Sequence, residues 1–188
     1  MSRLLFITHP EVTIDPECPI PQWSLSAAGA RRASAFAAEA AFAGVTHIWS
    51  SDETKARQTA ALLAKPNQLS VSVDSGLAEN DRSATGFLPP EAFERAADRF
   101  FAAPEDSHQG WERACDAQIR IEAAVRKIVA QHRGGDLAIV SHGAVGTLLY
   151  CSLCNLPVDR AYDQPSQGHY WTSDLPSLKP RHGWRSIG

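Results

Sequence analysis

The sequence predicts an α/β fold, a three-layer sandwich in which a mostly parallel central sheet is flanked by helices. Three observations carry that prediction. Segments of strand and helix character alternate along the chain, the pattern of a parallel sheet with helical crossovers. Two short runs, Leu4-Leu5-Phe6-Ile7 and Leu137-Ala138-Ile139-Val140, are apolar at every position, as strands buried on both faces must be. Each run then stops at a histidine, in Thr8-His9-Pro10 and in Ser141-His142-Gly143.

Composition narrows the class. The chain has 188 residues, 44% of them hydrophobic, which suits one domain over 1–188 with a full core. A net charge of -3 and a pI near 6.1 give no basic field for nucleic acid. No apolar run is long enough for a bilayer, and the N-terminus lacks a secretory leader's pattern. The four cysteines have no framework spacing, which favours free thiols in a reducing, cytoplasmic setting.

The elements follow in order. Leu4–Ile7 is the first strand, and Pro10 forbids its continuation. Residues 11–22 carry three prolines and read as a loop. Ser26 caps a helix expected from Ala27 to Ala43, with Gly44 as its stop. Val45–Ser50 is a second strand; Ser51 or Asp52 caps the next helix, which stops before Pro66. Leu69–Val73 alternates and reads as a strand near the sheet's edge. Asp74–Pro90 is a long loop of the kind that serves function.

Pro90 opens a helix with Phe93, Ala97, Phe100 and Phe101 on one face. The 74–104 segment is thus an insertion of loop and helix that shapes a site. A further helix carries Trp111, Ile121, Val125 and Ile128 and ends at Gly134-Gly135. Leu137–Ser141 is the next strand, and Ala144–Cys154 is helical. Gly168–Thr172 is expected as a last edge strand, with His169 and Tyr170 near the pocket mouth. Residues 173–188 form a proline-containing tail.

Chemistry is read from the strand ends. If the two apolar strands are neighbours, His9 and His142 meet at the sheet's carboxyl edge, about 5 Å of strand spacing apart. The helix after His142 adds N–H groups and positive potential there. Paired histidines beside cationic donors suit a phosphoryl group, whose charge catalysis must stabilise.

The chain resembles the histidine phosphatase superfamily, the phosphoglycerate mutase-like fold. The family's Arg-His-Gly corresponds to Thr8-His9-Pro10, and its Leu-Ser/Thr-x-x-Gly to Leu25-Ser26-Ala27-Ala28-Gly29. Its Ser-x-x-x-Arg-Ala-x-Gln-Thr-Ala appears as Ser51 to Ala60, its Leu-x-Glu as Leu77-Ala78-Glu79, and its Val-Ser-His-Gly as Val140 to Gly143. The resemblance implies His9 as a nucleophile passing through phosphohistidine, Glu79 as general acid and His142 as an oxyanion donor. It implies Thr8, Lys55 and Arg82 as the phosphate-binding set, with a small phosphorylated substrate or inorganic phosphate as ligand. No metal or cofactor is implied.

The departures define the functional question. Thr8 and Lys55 stand where the family has arginines, so both bidentate forks are lost. Arg82, just after Glu79, is a better replacement than Arg57, which lies two residues from Lys55 and so on another helix side. Arg181-His182-Gly183 copies the family tripeptide, but no strand precedes it. The expected function is phosphomonoester or phosphoprotein hydrolysis. A member that binds phosphate or a partner without turnover is the alternative, and a mutase is a lesser one.

Overall fold

The computed structural model describes residues 2–188. Its centre is a six-stranded sheet of β1 (Arg3–Thr8), β2 (Val45–Ser50), β3 (Ser70–Val73), β4 (Asp136–Ser141), β5 (His169–Asp174) and β6 (Arg185–Ser186). The spatial order is β3-β2-β4-β1-β5-β6. The first four strands in that order pair in parallel, whereas β5 runs antiparallel to β1 and β6 antiparallel to β5.

The period of two along β1 divides the core. Leu4 and Phe6 face one side, where they join Ile121, Ile128, Leu148 and Trp171. That layer is built by α3 (Pro90–Ala102), α4 (Ala114–Gln131) and α5 (Gly143–Leu153). Leu5 and Ile7 face the other side with Phe36, Ile48, Ala60 and Leu63, from α1 (Ala27–Phe36), β2 and α2 (Thr54–Ala64). An all-apolar strand is needed because both of its faces are covered. The register Thr8↔Ser141 aligns the ends of β1 and β4.

Four details differ from the sequence expectations. The first helix stops at Phe36, and residues 37–44 continue in turns with i→i+3 bonds such as Glu39 N to Phe36 O and Phe42 N to Glu39 O. Phe36 and Phe42 are both buried, with rings 6.0 Å apart. Six residues of helix would turn them to different sides, so the tightened chain is what buries both. The cap of α2 is Glu53 rather than Ser51 or Asp52, and its side chain makes no capping bond. Trp111 precedes α4, because Gln109 and Gly110 have left-handed backbone (φ 53° and 80°) that no helix accommodates. Finally, β5 is not the edge strand: residues of the tail return as β6 and pair with His169 and Tyr170.

Candidate active site

His9 extends β1 by one residue, its N–H bonding to Ser141 O of β4 at 3.2 Å. His142 directly follows β4 and is the N-cap of α5. Adjacent strands therefore bring the two imidazoles together, with ring centroids 5.2 Å apart at an interplanar angle of 66°. Nδ1 of His9 lies 2.9 Å from Pro10 O. A carbonyl only accepts, so Nδ1 carries the proton and Nε2 keeps its lone pair. Burial, assisted by the Lys55 charge, lowers the His9 pKa to about 4, against the opposing Pro10 carbonyl and Glu53. His142 is fully buried and held neutral by desolvation, with Glu53 opposing.

The loop behind His9 is clamped to the start of α1. Ser26 N donates to Glu11 O at 2.8 Å, and the Ser26 hydroxyl accepts from Gly29 N. A Cβ on Gly29 would lie 2.3 Å from that same Glu11 oxygen. The glycine of the Leu-Ser-x-x-Gly segment is thus required by close backbone approach.

Glu79 reaches the same rim from the 74–90 loop. Its carboxylate accepts from Ala144 N at 3.2 Å and Val145 N at 3.1 Å, in the first turn of α5. Burial nonetheless raises its pKa, with Glu53 adding to the rise and Arg82 opposing it. Two anchors fix this loop: Ser141 Oγ donates to Leu77 O at 2.7 Å, and Arg120 of α4 donates to Gly76 O, Ala78 O and Glu79 O. Arg120 is itself paired with Glu112.

The expected phosphate-binding residues are less alike than their sequence positions suggest. Lys55 is buried on the cavity wall, while Arg57 is exposed. The Lys55 ammonium bonds to Ile20 O at 2.9 Å and forms a buried ion pair with Glu53. Arg82 also lines the cavity, with its guanidinium over the rings of Phe93 (5.1 Å) and Trp111 (5.7 Å). Thr8 is not on the cavity wall. Its hydroxyl lies 2.7 Å from Gln164 Oε1 and accepts from His169 N at 2.9 Å. His169 and Tyr170 do not line the mouth either, because both are buried in β5; Gln164 to Gln167 occupy that position.

Residues not anticipated from the sequence complete the site. Glu53 bonds to Lys55, accepts from Glu79 N at 2.9 Å and lies 3.3 Å from His142 Nε2. Burial alone would raise its carboxyl, but His142, Lys55 and the Glu79 N–H bring its pKa down to about 2. Asn80 is 5% exposed, lines the cavity, and its Nδ2 has no partner among the described residues. The cavity has a volume of about 480 Å³. Beyond His9 its wall mixes charged and polar groups with aromatic rings, Trp23, Phe87, Phe93 and Trp111 among them. Trp23 and Trp111 therefore face this space.

A family model described as the histidine phosphatase superfamily (branch 1) matches residues 10–172. Among solved structures, Bacillus stearothermophilus YhfR aligns with a TM-score of 0.81 at 22% identity, covering 97% of this chain and 95% of that one. A mycobacterial glucosyl-3-phosphoglycerate phosphatase, in complex with inorganic phosphate, aligns at 0.75 and 25% identity over 98% and 95% of the two chains. A phosphoserine phosphatase from Entamoeba histolytica, in complex with 3-phosphoglyceric acid, aligns at 0.77 and 18% identity over 99% and 98%. No curated protein matches the sequence.

Proposed function

The chain belongs to the histidine phosphatase superfamily, and from that premise we propose that it hydrolyses a small phosphomonoester through a phosphohistidine on His9. The observation that carries this reading is the Nδ1–Pro10 hydrogen bond, which leaves the Nε2 lone pair of a neutral His9 free beside His142. In the first step Nε2 bonds to phosphorus in line as the ester P–O bond breaks, and Glu79 gives its proton to the departing oxygen. In the second, water attacks phosphorus, Glu79 takes back a proton, and the N–P bond breaks to release phosphate. The raised pKa of Glu79 suits the acid role.

Arg82 meets the phosphoryl charge in this reading, with neutral His142 and the Glu53-paired Lys55 beside it. Thr8 contributes through Gln164, whose amide it holds beside the helix start at Gly143. The chain acts as one domain, with residues 74–104 supplying Glu79, Asn80, Arg82 and the aromatic wall. A cytoplasmic setting is supported by four free cysteines, and no helix among the described residues is long and apolar enough to cross a membrane.

A second reading, phosphate or partner binding without turnover, draws support from the Glu53–Lys55 pair, which spends the lysine's charge inside the protein. Acid-labile labelling from a radioactive phosphomonoester separates the two. The hydrolytic reading expects label and turnover in the wild type and neither in His9→Ala. Turnover that survives in His9→Ala ends the assignment of His9, and binding without label in the wild type favours the second reading.

A further inference from the structure

The charges around the histidines do not add up to a receptor for a doubly charged anion. Lys55 is neutralised by Glu53, and neither histidine carries charge near neutral pH. Thr8 offers a hydroxyl that is already engaged by Gln164 and His169. Farther along the wall, Arg160 is paired with Glu94 and Asp98. Among the described residues of the cavity wall, that leaves Arg82 as the cation without a carboxylate partner.

The remaining groups are suited to a ligand that keeps a proton. His142 Nε2 lies 2.8 Å from Ser51 Oγ and 3.3 Å from Glu53 Oε1; the serine hydroxyl can take either role, but the carboxylate only accepts, which favours the proton on Nε2 and leaves Nδ1 as an acceptor. That Nδ1 is buried without a partner among the described residues, on a ring packed against His9. Such an acceptor costs free energy until a donor reaches it. Asn80 adds a neutral amide, Nδ2, also without a partner.

Building on the phosphate-site reading, we infer that the site takes its phosphoryl group in the singly charged, proton-bearing form, balanced by Arg82 and hydrogen-bonded by neutral groups. A phosphomonoester loses its second proton near pH 6, so this form is present in quantity at and below neutrality. Glu53, Lys55, Glu79, Arg82 and His9 are the titratable or charged groups facing His142 and the anion from the surrounding elements.

The test is calorimetric binding of inorganic phosphate and of sulfate to the full chain at about pH 6. Sulfate has the same shape but holds two charges and no proton. Phosphate is expected to bind at least tenfold more tightly, and Glu53→Gln to narrow that ratio by removing the buried negative charge. Should that variant fail to fold, wild-type phosphate binding at about pH 8 in two buffers of different ionisation heat is expected to take up close to one proton. The same uptake is expected in Glu79→Gln, which excludes Glu79 as its source. Equal affinity for the two anions, or binding without proton uptake, overturns the inference and leaves the phosphate site standing. If neither anion binds, both fall; a tenfold phosphate preference without turnover supports the inference and removes only the hydrolase reading.

Discussion

Oε1 of Glu53 lies 3.3 Å from Nε2 of His142, a buried carboxylate against a buried imidazole across the β2–α2 and β4–α5 connections. The same side chain holds Lys55 and the backbone N–H of Glu79. One residue thus ties together three of the groups at this rim, and its removal has consequences that can be measured.

Glu53→Gln is expected to destabilise the protein by about 3 to 5 kcal/mol, because it strands a buried ammonium. The double variant Glu53→Leu, Lys55→Met removes both charges and is expected to recover most of that loss. Denaturant unfolding of wild type, Glu53→Leu, Lys55→Met and the double variant gives the coupling directly. Strict additivity of the two single effects would refute the pairing.

Stability is expected to fall as the solution is acidified below about pH 6.5. The folded His9 pKa of about 4 lies below its ordinary 6.5, so the folded state resists protonation that the unfolded chain accepts. That contribution, roughly 3 kcal/mol at about 1.4 kcal/mol per unit, is complete above 6.5 and lost as pH falls to 4. Glu53, at about 2 against an ordinary 4.5, gives a second loss that begins near 4.5 and runs towards 2. Glu79 works in the opposite sense, since its raised pKa makes the fold take a proton more readily. His142, also held below its ordinary pKa by burial, adds to the same limb; thermal unfolding from pH 8 to 4 measures the sum, and His9→Asn is expected to make the limb between 6.5 and 4 shallower.

Glu79→Gln is expected to cut kcat about 10²- to 10⁴-fold on esters with poor leaving groups. A nitrophenyl ester, whose leaving group needs no proton, is expected to suffer much less. In the wild type the alkaline limb of kcat/KM is expected to follow loss of the Glu79 proton, above the ordinary carboxylate range. Equal losses on both kinds of ester would remove Glu79 from the acid role.

Gly29→Ala is expected to cost about 1 to 3 kcal/mol, because its Cβ meets the Glu11 backbone oxygen, which cannot rotate away. The displaced loop carries the strain back towards Pro10 and His9, so kcat/KM is expected to fall as well. Urea unfolding beside a kinetic assay checks both, and an unchanged variant would mean that the clamp is not tight in solution.

The meeting of His9 and His142 could be read from the chain because each follows a run with no polar residue, and such runs belong together in the middle of a sheet. Glu53 could not. A glutamate before a helix resembles a solvated cap, and its inward turn depends on Lys55 and on two connections distant in sequence. Asn80 and Gln164 lie in loops, where no periodicity announces direction. The early end of α1 was hidden by alanines of high helix propensity, although the spacing of Phe36 and Phe42 held the clue. A two-residue strand such as β6 has too little pattern of its own.

The position of β1 between β4 and β5 also governs how the molecule must come together. Its partners in the sheet lie far along the chain: Arg3 bonds to Asp136, 133 positions away. During synthesis Leu4–Ile7 leaves the ribosome long before anything exists for it to pair with, and loop closure must be met before the pairing repays it. His9 emerges early, and its neighbour His142 follows only when the second half of the chain is made. Fragments cut before β4 are expected to be inactive and prone to aggregate through that bare apolar strand.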